Sequence, residues 1–270
     1  MKKRFAVIGF PIEHSLSPLM HEAGYKALGI NAEYHRIPLR IDELGQGIDF
    51  LKINNYDGWN VTYPLKEHIM PLLDSITAQA LAIGAVNTVK AAHGSLEGHN
   101  TDGEGFIESL LDKGYNFEGK KVVILGAGGA AKAIAVALAN RKAELLILNR
   151  TEEKAKKLAG QVLDLGGRAD WGVLAAGEWL RYVDLLVQTT AVGMGGEQYP
   201  LRLDGINPAS CVVDLIYRPP VTLFLAEAAD KGCKIINGLE MLLYQGALSW
   251  KIWLDIEAPV SVMRNALLEV

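Results

Sequence analysis

Two charged residues, Lys66 and Asp102, each follow a predicted strand that ends in polar residues. Lys66 ends the segment Asn60-Val61-Thr62-Tyr63-Pro64-Leu65-Lys66, and Asp102 lies within Asn100-Thr101-Asp102-Gly103. A lysine can donate a proton to a developing alkoxide, and a nearby aspartate can orient the lysine for that transfer. Since open α/β sheets bind ligands where their strands end, the pair is a candidate acid/base. The alternatives are that Lys66 is a surface charge and that Asp102 is a helix N-cap.

Two hydroxyls, those of Ser15 and Ser17, lie at the start of a predicted helix. The segment Ser15-Leu16-Ser17-Pro18 places a proline where the first helical turn is expected. Both hydroxyls and the helix N-terminus could bind the carboxylate of a substrate. The alternative is that Ser17 acts only as the N-cap, and the two interpretations are compatible.

A glycine-rich turn joins a predicted strand over 121–125 to a predicted helix over 130–139. Its residues, Gly126-Ala127-Gly128-Gly129-Ala130-Ala131, fit the G-x-G-x-x-G/A pattern of dinucleotide-binding folds. The glycines allow a tight turn and a close approach to a pyrophosphate, which the helix N-terminus attracts. A P-loop is excluded because Ala133 stands where that motif needs Ser or Thr. The alternative is a tight strand–helix turn without a ligand.

The residues after the next strand indicate which dinucleotide would bind. That strand, over 145–148, ends in Asn149-Arg150-Thr151 instead of the carboxylate that is typical of NAD sites. Arg150 could hold a 2′-phosphate in a bidentate manner. With Thr151 as the N-cap, Lys154 lies at the third helical position. A cation there interacts unfavourably with the helix dipole, and a bound anion would explain its presence. These residues favour NADP. The alternatives are two solvated cations, or a ribose held by the neighbouring carboxylates Glu152 and Glu153.

Strand and helix patterns alternate along most of the chain and must position these residues. The predicted strands of the first part are 5–10, 34–39, 58–62, 87–92 and 96–100, and its predicted helices are 18–28, 42–53, 66–73 and 78–83. His93-Gly94 indicates a hairpin, so that one antiparallel pair is expected among parallel crossovers. The second part is predicted to contain a helix over 103–113, strands over 121–125, 145–148, 185–189, 212–215 and 234–236, and final helices over 239–256 and after Pro259. This pattern predicts an α/β fold with a mixed, mainly parallel domain and a doubly wound Rossmann domain.

Composition excludes several classes of function. The 270 residues carry a net charge of −4, so no strongly basic face for nucleic acid is expected. The 28 glycines exceed the usual fraction but show no period, which excludes a collagen-like fibre. Two distant cysteines and scattered histidines predict neither a structural zinc nor a catalytic metal site. No apolar stretch reaches the ~18 residues of a membrane span, so a cytoplasmic protein is expected.

The ordered motifs together resemble those of the shikimate dehydrogenase family over nearly the whole chain. The resemblance implies NADPH-dependent, reversible reduction of 3-dehydroshikimate to shikimate in the biosynthesis of chorismate and aromatic amino acids. It implies a substrate domain over 1–101 completed by 238–270, an NADP domain over 102–237, and a cleft between them. It rests on the motifs already quoted together with Gly84-Ala85-Val86-Asn87-Thr88 and Asn237-Gly238-Leu239 with Met241.

The resemblance also implies roles for individual residues. Ser15 and Ser17, with Tyr217, would hold the substrate carboxylate, and Lys66 would be the acid/base with Asp102 as its partner. Gly238 would contact the cofactor together with Gly126, Ala127, Gly128, Gly129, Ala130, Asn149, Arg150, Thr151 and Lys154. The ring hydroxyls and the reacting oxygen would be held by Thr62, Lys66, Asn87, Asp102 and Gln245.

The sequence departs from the family pattern in the cofactor half. Lys154 stands where arginine is frequent, and Gln188-Thr189-Thr190-Ala191 replaces a more usual Asn-Ala-Thr run. Two alternatives stay open: a quinate/shikimate dehydrogenase that uses NAD, and a non-catalytic NADP-binding sensor with the same fold. A fusion to a dehydratase is not expected at this length. The expected partners are small molecules, and the protein is expected to be a monomer or homodimer.

Overall fold

The computed structural model describes residues 2–269, which form two compact units with a six-stranded sheet in each. The first unit extends to Gly105 and resumes at Leu242, and the second is Phe106–Met241. The predicted α/β class, with one mixed sheet and one doubly wound sheet, is confirmed. No helix among residues 2–269 is both long and apolar enough to cross a membrane.

The first sheet is mixed and has the strand order β2-β1-β3-β5-β6-β4. Its strands are β1 (Lys3–Gly9), β2 (Ala32–Pro38), β3 (Gly58–Val61), β4 (Ser75–Ile76), β5 (Thr88–Ala92) and β6 (Ser95–His99). Strand β1 pairs in parallel with β2 and β3, whereas β5 is antiparallel to both β3 and β6. The sequence predicts one antiparallel pair, and there are two. Val86 N–H donates to the Lys66 carbonyl just beyond the end of β3. The chain therefore begins β5 at the edge of the sheet where β3 ends, and the two strands run in opposite directions.

The second sheet is parallel throughout and has the order β12-β11-β10-β7-β8-β9. Its strands are β7 (Lys121–Leu125), β8 (Glu144–Asn149), β9 (Arg168–Val173), β10 (Leu185–Gln188), β11 (Cys211–Asp214) and β12 (Lys234–Asn237). This is the doubly wound order, in which the order of the strands reverses beside the first strand, here between β7 and β10. The buried strands β7, β10 and β11 read as nearly continuous apolar runs, which is typical of a sheet covered on both faces.

Nine α-helices cover the two sheets within the described residues. They are α1 (Ser17–Ala27), α2 (Leu44–Ile53), α3 (Ala78–Ile83), α4 (Asp102–Leu111), α5 (Gly129–Asn140), α6 (Glu152–Asp164), α7 (Leu223–Asp230), α8 (Leu239–Leu254) and α9 (Val260–Leu268). The helix predicted over 66–73 is wrong. That segment forms turns followed by a short 3-10 helix at Met70–Leu72, because Pro71 cannot donate the hydrogen bond that an α-helix requires.

Candidate active site

One edge of the first sheet collects most of the residues predicted to meet the substrate. Strands β1 and β3 are parallel, and β5 is antiparallel to its neighbours β3 and β6. The C-terminal ends of β1, β3 and β6 therefore lie at the same edge of the sheet as the N-terminal end of β5. The chain leaves or enters the sheet at this edge with Ser15, Ser17, Thr62, Lys66, Asn87 and Asp102. The topology therefore places residues from four separate motifs at one edge of the sheet, where α/β sheets bind ligands.

Lys66 and Asp102 form a largely buried ion pair at this edge. Lys66 Nζ lies 2.5 Å from Asp102 Oδ2, and the two side chains are 17% and 6% exposed. Asn87 Nδ2 donates to the other carboxylate oxygen, Oδ1, at 2.8 Å. Lys66 is therefore not a free surface charge, and Asp102 is the first residue of α4 instead of the residue before it. The carboxylate holds the ammonium group and leaves the other ammonium protons for a ligand.

Asn87 connects this ion pair to helix α8. Its Nδ2 is 2.9 Å from Thr101 Oγ1 and 3.4 Å from Gln245 Oε1, and its Oδ1 accepts the Thr101 N–H at 2.8 Å. Gln245 in turn donates its Nε2 to the Leu242 carbonyl at 2.7 Å, one turn earlier in α8. All of these amides are buried, so their orientation is fixed by hydrogen bonds within the first unit. The structure thus brings Lys66, Asn87, Asp102 and Gln245 together.

The serine segment is shaped by its own hydrogen bonds and by an arginine. Leu16 is the N-cap residue of α1, and Ser17 is the first residue of that helix. Ser15 Oγ accepts the Ser17 N–H at 3.3 Å, so the alternative in which Ser17 caps the helix is wrong. On strand β2, Arg36 donates from Nε at 3.0 Å and from Nη2 at 2.5 Å to the Ser15 carbonyl. The local sequence pattern does not indicate Arg36, because nothing in it connects residues 15 and 36.

The turns that follow β1 and β3 touch each other. Phe10 N–H donates to the Tyr63 carbonyl at 2.9 Å. Gly9 has a φ of +153°, and a Cβ there would lie 2.4 Å from Thr62 Cγ2. A glycine is therefore required where the chain passes Thr62, and this contact holds the serine segment beside the segment that carries Lys66.

The glycine-rich turn of the second unit has the geometry that its motif predicts. Gly126 has a φ of +117°, and a Cβ there would lie 2.4 Å from Thr189 Oγ1. Gly128 is the N-cap of α5, and a Cβ there would have no neighbour within 4 Å. Ala131 is fully buried against the sheet, as the third position of the motif requires. Since the first N–H groups of a helix have no partner inside it, Ala127, Gly129 and Ala130 border an open site for an anion.

Two cations, Arg150 and Lys154, stand exposed beside this turn. Thr151 is the N-cap of α6, so Lys154 occupies the third helical position, as predicted. Asn149 Nδ2 donates to the Thr151 carbonyl at 2.8 Å and closes the turn between them. Over residues 2–269, neither cationic side chain has a hydrogen bond or ion pair with the protein. Both are therefore available to an anionic ligand.

Two further predicted residues, Tyr217 and Gly238, lie in the second unit. Tyr217 is half-buried shortly after β11. Gly238 follows β12, and a Cβ there would lie 1.9 Å from the Leu215 carbonyl oxygen. The close approach of two backbone segments is thus a structural reason for this glycine. The ligand roles of both residues stay predictions.

The loop after β10 is held by a buried amide, Gln188. Its Nε2 lies 3.1 Å from both the Thr190 and the Val192 carbonyl oxygens and 3.3 Å from Asp214 Oδ1. Asp214 also accepts the Thr222 hydroxyl at 2.7 Å. Burial of this carboxylate raises the pKa of Asp214 to about 6. The glutamine that departs from the family pattern therefore fixes the loop through its own hydrogen bonds.

Comparison with known proteins places this arrangement in a family. The chain matches the models of the shikimate dehydrogenase substrate-binding domain over residues 7–89, of shikimate/quinate 5-dehydrogenase over 108–191, and of the shikimate 5′-dehydrogenase C-terminal domain over 238–268. It is 51% identical to the shikimate dehydrogenase (NADP(+)) of Desulfitobacterium hafniense, with 99% of this chain and 98% of that protein covered. The chain belongs to the shikimate dehydrogenase family. The resemblance inferred from the motifs is confirmed.

Solved members of the shikimate dehydrogenase family have the same fold. The shikimate 5-dehydrogenase of Thermus thermophilus, solved in complex with NADP(H) and shikimate, is 38% identical, with a TM-score of 0.90 and 99% of each chain covered. The quinate dehydrogenase of Corynebacterium glutamicum, solved in complex with NAD, is 29% identical, with a TM-score of 0.89, and the match covers 100% of this chain and 99% of that one. The fold is thus shared by enzymes named for different substrates and solved with different cofactors.

Proposed function

We propose that this protein is an NADP-dependent shikimate dehydrogenase that interconverts 3-dehydroshikimate and shikimate in aromatic amino-acid biosynthesis. The observation that carries the proposal is the largely buried Lys66–Asp102 pair, hydrogen-bonded through Asn87 to Gln245 at a sheet edge. A relative that is 51% identical over nearly the whole chain bears the same name. The two free, buried cysteines suit the reducing cytoplasm in which we expect the enzyme to work.

The first unit would bind the substrate. Ser15 and Ser17, at the N-terminus of α1, would hold the carboxylate, and Tyr217 would assist them. Arg36 would keep the Ser15 segment in place through the two hydrogen bonds to its carbonyl. Thr62, Asn87 and Gln245 would hold the ring hydroxyls. We assign residues 1–101 and 238–270 to this substrate domain.

Lys66 would transfer the proton and Asp102 would orient it. During reduction, Lys66 Nζ donates a proton to the ketone oxygen as negative charge develops there, and in the reverse direction it takes the proton back. Asp102 directs the ammonium group and compensates its charge in a largely buried position. Asn87 holds the second carboxylate oxygen, so the carboxylate cannot rotate away.

Residues 102–237 would bind NADP, which supplies or accepts the hydride when it is bound. The turn of Gly126, Ala127, Gly128, Gly129 and Ala130 would fit a pyrophosphate, because the first N–H groups of α5 have no partner inside the helix and a Cβ on Gly128 would meet nothing within 4 Å. Asn149, Arg150, Thr151 and Lys154 would surround the 2′-phosphate, and the two unpaired cations supply the charge that this group requires. Gly238 would lie against the cofactor as well.

The quinate and NAD alternative has one observation in its favour, the likeness to a quinate dehydrogenase solved with NAD. Against it stand the two unpaired cations after β8, where a carboxylate would favour the unmodified ribose of NAD. The sensor alternative leaves the buried ion pair without a purpose, since an unneeded buried charge pair is costly to maintain.

One assay separates these functions. The purified protein is incubated with shikimate or quinate and with NADP+ or NAD+, and the absorbance of the reduced cofactor is followed at 340 nm. We expect kcat/KM to be greatest for shikimate with NADP+. A preference for quinate with NAD+ would overturn the substrate assignment, and the absence of any reduction would favour the sensor.

A further inference from the structure

A buried chain of hydrogen bonds runs behind the proposed substrate site, and its interior members have no assigned role. It begins at Tyr34 on β2, two residues before Arg36, which is bonded to the Ser15 carbonyl. Tyr34 donates its hydroxyl proton to Asn60 Oδ1 at 2.7 Å. Asn60 Nδ2 then donates to Ser249 Oγ at 2.9 Å, across 189 positions of sequence. All three residues are buried.

Ser249 is the point at which this chain branches towards the acid/base pair. Its hydroxyl lies 2.8 Å from Thr88 Oγ1 and 3.3 Å from Thr101 Oγ1. It also lies 2.9 Å from the carbonyl of Gln245, one turn earlier in α8. Both threonines contact Asn87, because Thr88 Oγ1 is 3.0 Å and Thr101 N is 2.8 Å from Asn87 Oδ1. The chain therefore reaches the amide that holds Asp102.

The elements joined in this way are distant in sequence. Tyr34 lies on β2, Asn60 on β3 and Ser249 on α8, and all three are shielded from water. A satisfied buried polar network specifies one arrangement of the elements that contribute to it, because any other arrangement leaves polar groups without partners. Apolar residues could fill the same space, but they would tolerate small shifts of α8 against the sheet.

The aromatic surroundings hold the Tyr34 ring without competing for its hydroxyl. The ring stacks on His21, with centroids 4.6 Å apart and planes 5° apart. His21 is fully buried, and neither of its ring nitrogens has a hydrogen-bond partner among residues 2–269. Burial lowers the pKa of His21 to about 3, so that it stays neutral at ordinary pH.

From this chain we infer that Tyr34, Asn60 and Ser249 are positioning residues. They fix strand β2, whose Arg36 is bonded to the Ser15 carbonyl, relative to the Asn87–Asp102 group. The serine segment, which would bind the carboxylate, is thereby held at a fixed separation from the group that would bind the reacting end of the substrate. The inference rests on the proposed function, since it assumes that one substrate spans both ends. None of the three residues needs to touch the substrate.

The test compares two variants with two matched controls. Tyr34→Phe removes the hydroxyl that donates to Asn60, and Ser249→Ala removes the hydroxyl at the branch. Tyr25→Phe is the control for the first, because the Tyr25 hydroxyl is also buried in the aromatic cluster but has no partner among the described residues. Ser210→Ala is the control for the second, because its buried hydroxyl bonds to the backbone carbonyl of Val183 in the second unit.

We expect each variant to raise the KM for shikimate by about threefold to tenfold, which corresponds to the net value of one buried hydrogen bond. The KM for NADP+ should stay within about twofold of the wild-type value in both variants. A purely structural loss would instead lower the melting temperature and the active fraction, leaving both KM values unchanged. Both controls should retain the wild-type KM for shikimate.

The outcomes separate the two proposals. One outcome is that the wild-type enzyme oxidises shikimate with NADP+ while the two variants have the same KM for shikimate as their controls. That outcome would overturn this inference and leave the proposed function intact. A wild-type protein without that activity would overturn the proposed function and this inference with it. If Tyr34→Phe melts below the assay temperature, Ser249→Ala decides the matter, because it removes a single atom and its helix retains all backbone hydrogen bonds.

Discussion

Lys66 can occupy a largely buried position because its ammonium group and both oxygens of the Asp102 carboxylate have partners. Asp102 supplies the opposite charge at 2.5 Å, and Asn87 satisfies the carboxylate oxygen that the lysine leaves free. Removing one member of such a pair leaves an uncompensated charge, which costs several kcal/mol when it stays buried. The use that we propose for this charge is proton transfer.

Lys66→Ala is expected to lower kcat by about 10²–10⁴-fold, the usual contribution of an acid/base group, while the KM for shikimate changes less. Steady-state kinetics with shikimate and NADP+ measure both constants. Lys52→Ala, at an exposed position on α2 of the same unit, is the control and should retain the wild-type kcat. An unaltered kcat in Lys66→Ala would reject the acid/base role.

Arg150→Ala is expected to raise the KM for NADP+ by about tenfold to a hundredfold, because a hydrogen bond between charged groups is lost. The KM for NAD+, which lacks the 2′-phosphate, should hardly change. Arg168→Ala serves as the control, because Arg168 is exposed in the same unit and pairs with Glu144. If the two cofactors lose affinity equally in Arg150→Ala, this residue does not recognise the 2′-phosphate.

Elements with a strong local signal were predicted within a few residues of their ends. Helix α3 matches its prediction because Thr77 caps its start and Gly84, with a φ of +70°, ends it. Strand β9 was missed because it is an edge strand whose side chains are mostly exposed, so it lacks the apolar run of its neighbours. The helix expected over 66–73 failed at Pro71. Local pattern therefore identifies buried elements better than edges and turns.

Gly238→Ala is expected to lower the free energy of unfolding by about 1–3 kcal/mol, because the new Cβ would meet the Leu215 carbonyl at 1.9 Å and the backbone cannot yield cheaply. Gly160→Ala is the matched control. It lies within α6, a Cβ there meets nothing within 4 Å, and alanine should stabilise the helix by about 0.5–1 kcal/mol. Urea unfolding followed by circular dichroism measures both, and equal midpoints would contradict the close approach.

On the scale of the whole molecule, the motifs predicted which residues matter but not how they are joined. The glycine-rich turn and the strand exits identified Lys66, Asp102 and Gly126 from local pattern. The link from Tyr34 through Asn60 to Ser249 has no such signal, because it depends on the side-by-side placement of β2, β3 and α8. Contacts of this kind follow from tertiary packing, which a single sequence does not encode locally.

The two units also carry buried titratable groups whose effects on stability have opposite signs. In the first unit, burial lowers the pKa of His21 to about 3. The fold therefore loses stability as the pH falls below about 6.5, where the unfolded histidine takes up a proton that the folded one does not. In the second unit, burial raises the pKa of Asp214 to about 6. The folded state therefore binds the Asp214 proton more tightly than the unfolded state does. The fold loses stability as the pH rises from about 4 to 6, because the unfolded state has already released this proton.

Two variants separate these contributions in urea unfolding experiments at pH 4, 5.5 and 7. The free energy of unfolding of Asp214→Asn minus that of the wild type should rise by up to about 3 kcal/mol from pH 4 to pH 7. The reason is that only the wild type must bury a carboxylate over that range. His21→Leu should show the reverse trend, with its advantage growing by about 1.4 kcal/mol for each pH unit below 6.5, because leucine does not bind the proton that the unfolded histidine takes up. Profiles that run parallel to the wild type would show that these two groups do not set the pH dependence of the fold.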